Sequence, residues 1–218
     1  MPTIATLTLN PTIDTAYEVD RVFPTHKMRT LKEKYDPGGG GINVARVFTR
    51  LGGQAHCFYL SGGPSGVALD GLLDQHHLAR TKIPIAGTTR ISASLYDRES
   101  GQEYRVVPVG PTVSPAEWQA CFDALEQARC DYLVLSGSLA PGVPDDFYAR
   151  VAASAVARGI KVVLDSSGAG LSEGLASGHI HLTKPSLGEL RQLVGEPLDT
   201  DDAIGAAALS LVTSGQTD

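Results

Sequence analysis

The sequence has few cysteines and no segment that would direct it out of the cell or into a membrane. Cys57, Cys121 and Cys130 are odd in number and lack the spacing of metal ligands, so we expect reduced thiols that are mostly buried. Residues 1–7 show no basic stretch followed by a long apolar run, which argues against a signal peptide. No apolar run is long enough to span a bilayer. We therefore expect a cytoplasmic protein with no membrane partner.

Several motifs that would identify a catalytic or nucleotide-binding site at once are also missing. Gly-x-Ser-x-Gly occurs at residues 170–174, but it does not directly follow a predicted strand as a nucleophile elbow would, and no cysteine and histidine pair suggests nucleophilic catalysis. The six histidines lack ligand spacing, and the adjacent His76 and His77 would face different sides of a helix. Neither a P-loop nor the Gly-x-Gly-x-x-Gly fingerprint of nicotinamide enzymes occurs. An oxidoreductase is therefore disfavoured, and we assign no metal or proton transfer to the histidines.

The charge balance is mildly acidic and shows no excess of cations. The 218 residues include 18 Lys and Arg against 24 Asp and Glu, which gives a net charge of −6. This balance argues against broad binding to nucleic acid, although a local group of cations can still hold a phosphate. Hydrophobic residues make up 42% of the chain, which is enough for one domain, or for one domain with a small appendage.

What the sequence does contain is a run of four glycines that leads into an apolar helix. Residues 37–46 read Pro-Gly-Gly-Gly-Gly-Ile-Asn-Val-Ala-Arg. Glycine lets a ligand approach the backbone closely, and the unpaired N–H groups at a helix start favour oxygen-rich ligands. A flexible linker is the alternative, but it is disfavoured because apolar residues resume at Ile42, and Gly52 and Gly53 end the helix. We interpret the run as a binding loop on a rigid helix.

The order of predicted strands and helices indicates an α/β fold with a second, smaller sheet. Apolar strands alternate with helices along most of the chain, which is typical of a mostly parallel sheet covered by helices on both faces. Four segments instead alternate polar and apolar residues and predict a small sheet with one face in solvent. These segments are residues 16–22, 30–35, 90–96 and 103–107. We expect a core of residues 1–14, 37–88 and 109–218, and a small sheet of residues 15–36 and 89–108.

The alternation of strands and helices is interrupted at the last residue rather than capped. A predicted helix at 200–212 is followed by Ser-Gly-Gln-Thr-Asp, where the pattern would place another parallel strand. We therefore expect the C-terminal part of the fold to lie outside these 218 residues.

Ligands of open parallel sheets bind beyond the carboxyl ends of the strands, so polar residues at those positions are candidates for a site. Asp14 follows the first strand, and its two oxygens suit either a diol or the capping of a turn. Ser138 lies in a loop of small donors that is equally compatible with an ordinary connection. Lys184 brings a cation to another strand end. Ser186 and Glu189 share one helical face, but a plain capping box explains them as well.

Two arginines lie on neighbouring strands of the predicted small sheet. If the registers of Arg90 and Arg105 coincide, their guanidinium groups can converge on one phosphate, which their fork of N–H donors fits well. Lys27, in the loop between the first two strands of that sheet, would add a third cation. Solvated surface charges are the alternative for each of the three residues.

Together these segments resemble the PfkB branch of the ribokinase-like carbohydrate kinases. Residues 6–14, Thr-Leu-Thr-Leu-Asn-Pro-Thr-Ile-Asp, are similar to the opening motif of the hexose-phosphate kinases in that branch, and residues 37–46 to its glycine-rich signature. Residues 136–144, 163–167 and 182–185 match in order and spacing. The likeness covers the whole chain, and it is specific because several motifs occur in register.

The resemblance implies that the small sheet is a lid over a phosphorylated sugar. Arg90 and Arg105 would hold the phosphate, and Asp14 and Asn43 the sugar hydroxyls. Lys27 would reach the substrate of a partner subunit, because the lids of this family often pair in a homodimer. The full implied set of substrate-binding residues is Asp14, Lys27, Gly38, Gly39, Asn43, Arg90, Arg105 and Ser138.

The resemblance also implies a nucleotide side to the site. Lys184, Ser186 and Glu189 would lie toward ATP, with Glu189 acting indirectly on Mg²⁺. The family usually has asparagine where this chain has Ser186, and the shorter hydroxyl would weaken contacts to water and metal. The catalytic base of the family is the aspartate of a Gly-Ala-Gly-Asp motif, which would lie beyond Asp218. We therefore assign no catalytic residue within the chain.

The function implied by the resemblance is transfer of the γ-phosphoryl group of ATP to a ketohexose phosphate, fructose 6-phosphate becoming fructose 1,6-bisphosphate. The alternatives are 1-phosphofructokinase or tagatose-6-phosphate kinase activity, and a non-catalytic module that binds sugar phosphates. Such transfer depends on alignment and charge neutralisation, so a glycine loop, arginines and Mg²⁺ are chemically suitable parts.

Overall fold

Apolar strands and helices alternate along most of residues 2–218, the part of the chain that the computed structural model describes. The strands are β1 (Thr3–Thr8), β2 (Thr12–Val19), β3 (Lys32–Gly38), β4 (Gln54–Ser61), β5 (Ala79–Pro84), β6 (Arg90–Asp97), β7 (Glu103–Val106), β8 (Tyr132–Ser136), β9 (Lys161–Asp165) and β10 (Leu182–Thr183). The helices are α1 (Gly40–Arg50), α2 (Gly63–Asp74), α3 (Pro115–Glu126), α4 (Phe147–Ala157), α5 (Gly168–Ala176), α6 (Leu187–Val194) and α7 (Asp201–Thr213). Within residues 2–218, no helix combines the length and apolar character needed to cross a bilayer.

The large sheet has six strands in the order β10-β9-β8-β1-β4-β5, and all its pairings are parallel. Its two faces are buried in separate cores. On β4, Phe58 and Leu60 join the core that includes α3, α4 and α5, whereas Cys57 and Tyr59 join the core that includes α1 and α2. This alternation follows from the two-residue period of a strand. The predicted parallel sheet with helices on both faces is confirmed.

The small sheet has four strands in the order β3-β2-β6-β7. Strands β2 and β6 pair in parallel, and β3 and β7 add to them antiparallel. Strand β2 begins at Thr12, earlier than predicted, because Thr12 Oγ1 lies 3.0 Å from both the Oγ and the backbone N of Ser92 on β6. Asp14 therefore lies within a strand of the small sheet and not in a turn after β1.

Two elements were not predicted from the sequence. Strand β5 contains an arginine and a lysine and ends in Pro84, which suits its place at the edge of the sheet, where one side needs no partner. Helix α5 contains Gly168, Gly170 and Gly174, which lowers its intrinsic helix propensity. It forms because Leu171 and Leu175 are buried in the large core. The strand predicted at 179–182 is instead β10, preceded by an isolated bridge between residues 180 and 217.

The cysteines are free thiols, as predicted. Cys57 and Cys121 are buried and Cys130 is half-buried. Burial raises the pKa of Cys57 to about 11 and that of Cys121 to about 12. Both thiols are therefore protonated and unreactive at neutral pH.

Candidate functional site

The strand order of the large sheet identifies where a ligand would bind. The chain runs from the central strand β1 outward through β4 to β5, and then returns to β8 on the other side of β1. The carboxyl ends of β1 and β8 therefore form a topological switch point, the usual position of ligand sites in open parallel sheets. The residues at these two ends are Thr8 on β1 and Ser136 on β8.

The glycine run packs directly on this switch point. The backbone N–H of Ile42 donates to Thr8 Oγ1 at 3.0 Å. A Cβ atom on Gly41 would lie 2.5 Å from the carbonyl oxygen of Leu7, and one on Gly40 would overlap the Ser136 hydroxyl. Gly39 has a φ of +118°, a conformation that favours glycine. These glycines are thus required by close packing of α1 on the strand ends.

Asp14 shares one face of the small sheet with the two arginines. Asp14 pairs with Asp36 and Ser92, and Arg105 pairs with Ser94 in the next strand. Because paired side chains point to the same face, this face collects carboxylates, hydroxyls and a guanidinium. Asp14, Asp36, Ser92, Ser94 and Arg105 line a hollow of about 140 Å³, which we call the small-sheet hollow.

The charges around Asp14 oppose one another. Its carboxylate lies over Gly38, where a Cβ atom would overlap it. Partial burial raises the pKa of Asp14, although its side chain keeps an exposed edge; the guanidinium groups of Arg105 and Arg90 lower this pKa, and Asp36 raises it. The structure therefore brings both arginines close to Asp14, and the net effect of these contributions is a pKa above the usual value of an aspartate.

The raised pKa of Asp14 gives a prediction for stability. The folded state binds this proton more tightly than the unfolded state, so the contribution of Asp14 to stability falls as pH rises above the unfolded pKa. Asp14→Asn should therefore raise the free energy of unfolding slightly at pH 7, and the gain should shrink toward about pH 4. Urea unfolding at several pH values measures the difference in free energy of unfolding between Asp14→Asn and the parent chain. A variant that is less stable at pH 7 would contradict the prediction.

Arg90 is bound more firmly to the protein than the sequence suggested. Its guanidinium donates to the carbonyl oxygens of Asn10 at 2.8 Å and Pro108 at 3.0 Å. Its Nε is buried without a hydrogen-bond partner among the described residues. Burial lowers the pKa of Arg90, while Asp14 raises it. Arg90 thus connects the end of β1 to the chain that leaves the small sheet, and it faces Asp14 from that position.

Arg46 and Asp36 extend the site, and sequence reasoning missed both. Arg46 donates to the carbonyl oxygen of Pro37 at 3.1 Å and to Oδ1 of Asn43 at 3.3 Å, and its Nη2 lies 3.6 Å from Asp36. Lys34 contacts the other oxygen of Asp36 at 2.6 Å. The signal was present, because Asp36 directly precedes the glycine motif and Arg46 ends it. Only the fold shows that the two residues meet.

The other predicted substrate residues with side chains do not line the small-sheet hollow. Asn43 is exposed in the first turn of α1, where it accepts the hydrogen bond from Arg46. Ser138 is exposed two residues beyond the end of β8. Lys27 is exposed in the loop between β2 and β3, and the structure of this single chain gives it no contact with Asp14 or the arginines.

The predicted nucleotide residues lie at the far end of the sheet, around β10 and α6. Lys184 is exposed. Ser186 and Glu189 form a complete capping box: Oε2 of Glu189 accepts from the backbone N of Ser186 at 2.7 Å and from its hydroxyl at 2.8 Å. Glu189 also lines a hollow of about 250 Å³ between α5 and α6. Among residues 2–218, no group of three or more His, Cys, Asp or Glu could hold a metal ion.

The capping box makes Ser186 a structural residue whatever else it contacts. Ser186→Ala should lower the free energy of unfolding by about 1 kcal/mol, because it leaves a helix-start N–H without its acceptor. Ser138→Ala is the control, since that exposed hydroxyl has no hydrogen bond within the described part of the chain. Chemical denaturation measures both variants, and equal stability of the two would contradict the prediction.

Comparison with known proteins identifies the family of the chain. The model of the pfkB family of carbohydrate kinases matches residues 7–218. The ATP-dependent 6-phosphofructokinase isozyme 2 of Mycobacterium tuberculosis H37Rv is 42% identical over 100% of this chain and 64% of that protein. Its counterpart in Escherichia coli K12 is 36% identical over 99% of this chain and 70% of that protein. The chain thus spans less than two thirds of the length of the mycobacterial relative.

A solved structure matches the fold over the same range. Phosphofructokinase-2 from Escherichia coli in complex with fructose-6-phosphate has a TM-score of 0.93 and 35% identity, over 100% of this chain and 72% of that chain. A more distant relative, the 1-phosphofructokinase of Xanthomonas campestris, is 33% identical over 96% of this chain and 68% of that protein. Given the family match over residues 7–218, this chain belongs to the pfkB family of carbohydrate kinases.

Proposed function

We propose that this chain forms the sugar-phosphate side of an ATP-dependent phosphofructokinase whose substrate is fructose 6-phosphate. The observation that carries the proposal is the small-sheet hollow, where Asp14 is close enough to Arg105 and Arg90 for both guanidinium groups to lower its pKa. Two guanidinium groups suit a phosphate dianion, and a carboxylate between them suits sugar hydroxyls. The relatives named 6-phosphofructokinase isozyme 2 support this choice of substrate.

In this proposal each residue has a task set by its position. Arg105 is exposed and pairs with no carboxylate among the described residues, so its N–H donors are available to the phosphate. Arg90 is fixed by two carbonyl oxygens and adds positive charge from a constant position. Asp14 accepts hydrogen bonds from sugar hydroxyls, Asn43 offers its amide beside them, and Ser138 lines the same site. Gly38 leaves room for the carboxylate of Asp14.

The nucleotide side of the proposal depends on Lys184 and Glu189. When bound, ATP supplies the γ-phosphoryl group and Mg²⁺ neutralises its developing charge. The exposed ammonium of Lys184 suits a phosphate, and Ser186 orients Glu189. One carboxylate fits Mg²⁺, which usually keeps several waters and takes few protein ligands. The hydroxyl of Ser186, engaged with Glu189, offers less to a metal-bound water than the asparagine of the family would.

We also propose that two copies of the chain pair through the small sheet. The face opposite the small-sheet hollow is apolar and open: Tyr35 is 48% exposed, Ile91 48%, Tyr104 44% and Val106 66%. A contiguous apolar surface of this kind is typical of an interface. In such a dimer, Lys27 of one copy would reach the substrate of the other. Sedimentation equilibrium tests this proposal, and a monomer at micromolar concentration would contradict it.

The test of function separates binding from turnover. Calorimetric titration with fructose 6-phosphate should show binding by the 218-residue chain. ADP release in the presence of ATP and Mg²⁺ should be small, because no Gly-Ala-Gly-Asp motif occurs within the 218 residues. A chain that binds no fructose 6-phosphate would refute the proposal, and rapid ADP release would refute the expectation about the base.

The catalytic alternatives differ in the substrate, either in the position of its phosphate (fructose 1-phosphate) or in the stereochemistry of its sugar (tagatose 6-phosphate). Two relatives are the reason for testing these alternatives: one is named 1-phosphofructokinase, and the other, which is 32% identical, is named D-tagatose-1-phosphate kinase. Titration with fructose 1-phosphate and tagatose 6-phosphate beside fructose 6-phosphate discriminates them by affinity. Binding without turnover even when the chain is extended beyond residue 218 would favour the non-catalytic module.

A further inference from the structure

A cleft of about 610 Å³ runs along the exposed side of α1, outside the small-sheet hollow. Asn43, Arg46, Val47 and Arg50 follow one another at helical spacing and form one wall. The turn that ends α2 forms the other wall. The residues that line the cleft are Asn43, Arg46, Val47, Thr49, Arg50, Gln75 and His76. This volume falls within the range of small-molecule sites.

Several polar groups in this cleft have no protein partner. Within residues 2–218, the side chains of Arg50, Gln75 and His76 form no hydrogen bond or ion pair, although all three line the cleft. Arg46 is partly engaged: Nη1 donates to Pro37 and Asn43, whereas Nη2 makes one long contact with Asp36, at 3.6 Å. No carboxylate lines the cleft. Burial lowers the pKa of His76; Arg46 and His77 lower it further, and Asp36 raises it.

We infer that this cleft is a second ligand site, which binds a small phosphate-type oxyanion between Arg46 and Arg50. Guanidinium groups bind such anions through paired N–H donors. The amide of Gln75 and the ring of His76 provide neutral donors on the opposite wall. Val47, which is 58% exposed, offers an apolar surface to the carbon skeleton of a phosphate ester. Free phosphate and a phosphate monoester share this chemistry.

The cleft is separate from the site of the proposed function. It contains none of the small-sheet residues, neither Asp14 nor Arg105, and shares only Asn43 with the implied substrate set. Arg46 connects the two places, because it also contacts the carbonyl oxygen of Pro37 and the carboxylate of Asp36. An anion in the cleft would compete with Asp36 for Arg46. The inference concerns binding alone and does not require turnover.

The test compares Arg50→Gln with two other charge removals. Inorganic phosphate and glycerol 3-phosphate are titrated by calorimetry into the 218-residue chain and its variants. Arg50→Gln should weaken binding of both probes at least about tenfold, since a charge-assisted hydrogen bond is lost, and Arg50→Lys should restore part of it. Arg150→Gln, on α4, removes the same charge elsewhere and should change nothing. Arg105→Gln, in the small-sheet hollow, should leave at least one phosphate site.

The outcomes separate this inference from the proposed function. Tighter binding of glycerol 3-phosphate than of phosphate would identify an ester site, and equal affinities a site for the free anion; either supports the inference. If Arg105→Gln abolished all binding while Arg50→Gln left binding unchanged, the anion would lie in the small-sheet hollow, and the inference would be overturned. No binding at roughly 10 mM probe, or equal binding by every variant, would also overturn it. Amide shifts at residues 46–50 and 75–76 in NMR spectra locate the probe.

Discussion

Arg105→Gln should weaken the binding of fructose 6-phosphate by roughly 10- to 100-fold. A hydrogen bond to a charged group contributes about 1.5–3 kcal/mol, and about 1.4 kcal/mol corresponds to a factor of ten. Arg105 is exposed and makes no ion pair among residues 2–218, so its removal should leave the fold intact. Isothermal titration calorimetry measures the affinity, and thermal unfolding of the ligand-free chain should give an unchanged midpoint.

The matched control for this variant is Arg98→Gln. Arg98 is also an exposed arginine of the small sheet, but it lies in the turn after β6, where it contacts Glu18 at 3.3 Å and Asp20 at 3.9 Å. Its removal changes the net charge by the same amount and should leave the affinity within a factor of about two. An equal loss in both variants would mean that the effect is general electrostatics and that Arg105 makes no direct contact with the phosphate.

Arg90 cannot serve the same purpose, although nothing in the sequence separates the two arginines. Two of its N–H groups are bound to the carbonyl oxygens of Asn10 and Pro108. Arg90→Gln would leave these acceptors without a partner, which costs stability as well as affinity. The difference between the arginines depends on where the chain leaves β1 and the small sheet, a feature of tertiary structure. Of the two arginines, only Arg105 can be replaced with an expected effect on ligand affinity and none on stability.

Features with a local cause were predictable from the sequence. The capping box of Ser186 with Glu189 is present, since it forms within one turn of helix. The alternating segments at 90–96 and 103–107 became β6 and β7 almost residue for residue, because two-residue periodicity encodes a half-exposed strand. The apolar strands with intervening helices gave the parallel sheet for a different reason: continuous apolar runs are typical of strands that are buried on both faces.

Features set by distant parts of the chain were not predictable. The pairing of Asp14 with Asp36 and Ser92 depends on the register between three strands, and a shift of one residue would have placed Asp14 on the apolar face. The contact of Arg46 with Asp36 depends on the angle at which α1 leaves β3. The glycine run was correctly identified as important, but its main contacts are with β1 and β8, which no local pattern indicates.

The packing of α1 on these strands gives the second large prediction: Gly41→Ala should destabilise the protein by about 1–3 kcal/mol. The added methyl group would lie 2.5 Å from the carbonyl oxygen of Leu7 and 2.7 Å from Thr8 Oγ1. These atoms belong to the central strand of the sheet, so they cannot move aside without disturbing both neighbouring strands, and overpacking of a core has this cost. The same shift would break the hydrogen bond from Ile42 to Thr8. Urea denaturation measures the loss.

Gly71→Ala is the control that isolates packing from helix propensity. Gly71 also lies within a helix, α2, but a Cβ atom there would meet nothing within 4 Å. Replacing glycine with alanine in an open helix position stabilises by about 0.5–1 kcal/mol. The two substitutions should therefore have opposite signs, although the chemical change is identical. If Gly41→Ala proved as stabilising as Gly71→Ala, the glycine run would be a flexible segment, and the contact between α1 and the switch point would not position Asn43 or Arg46.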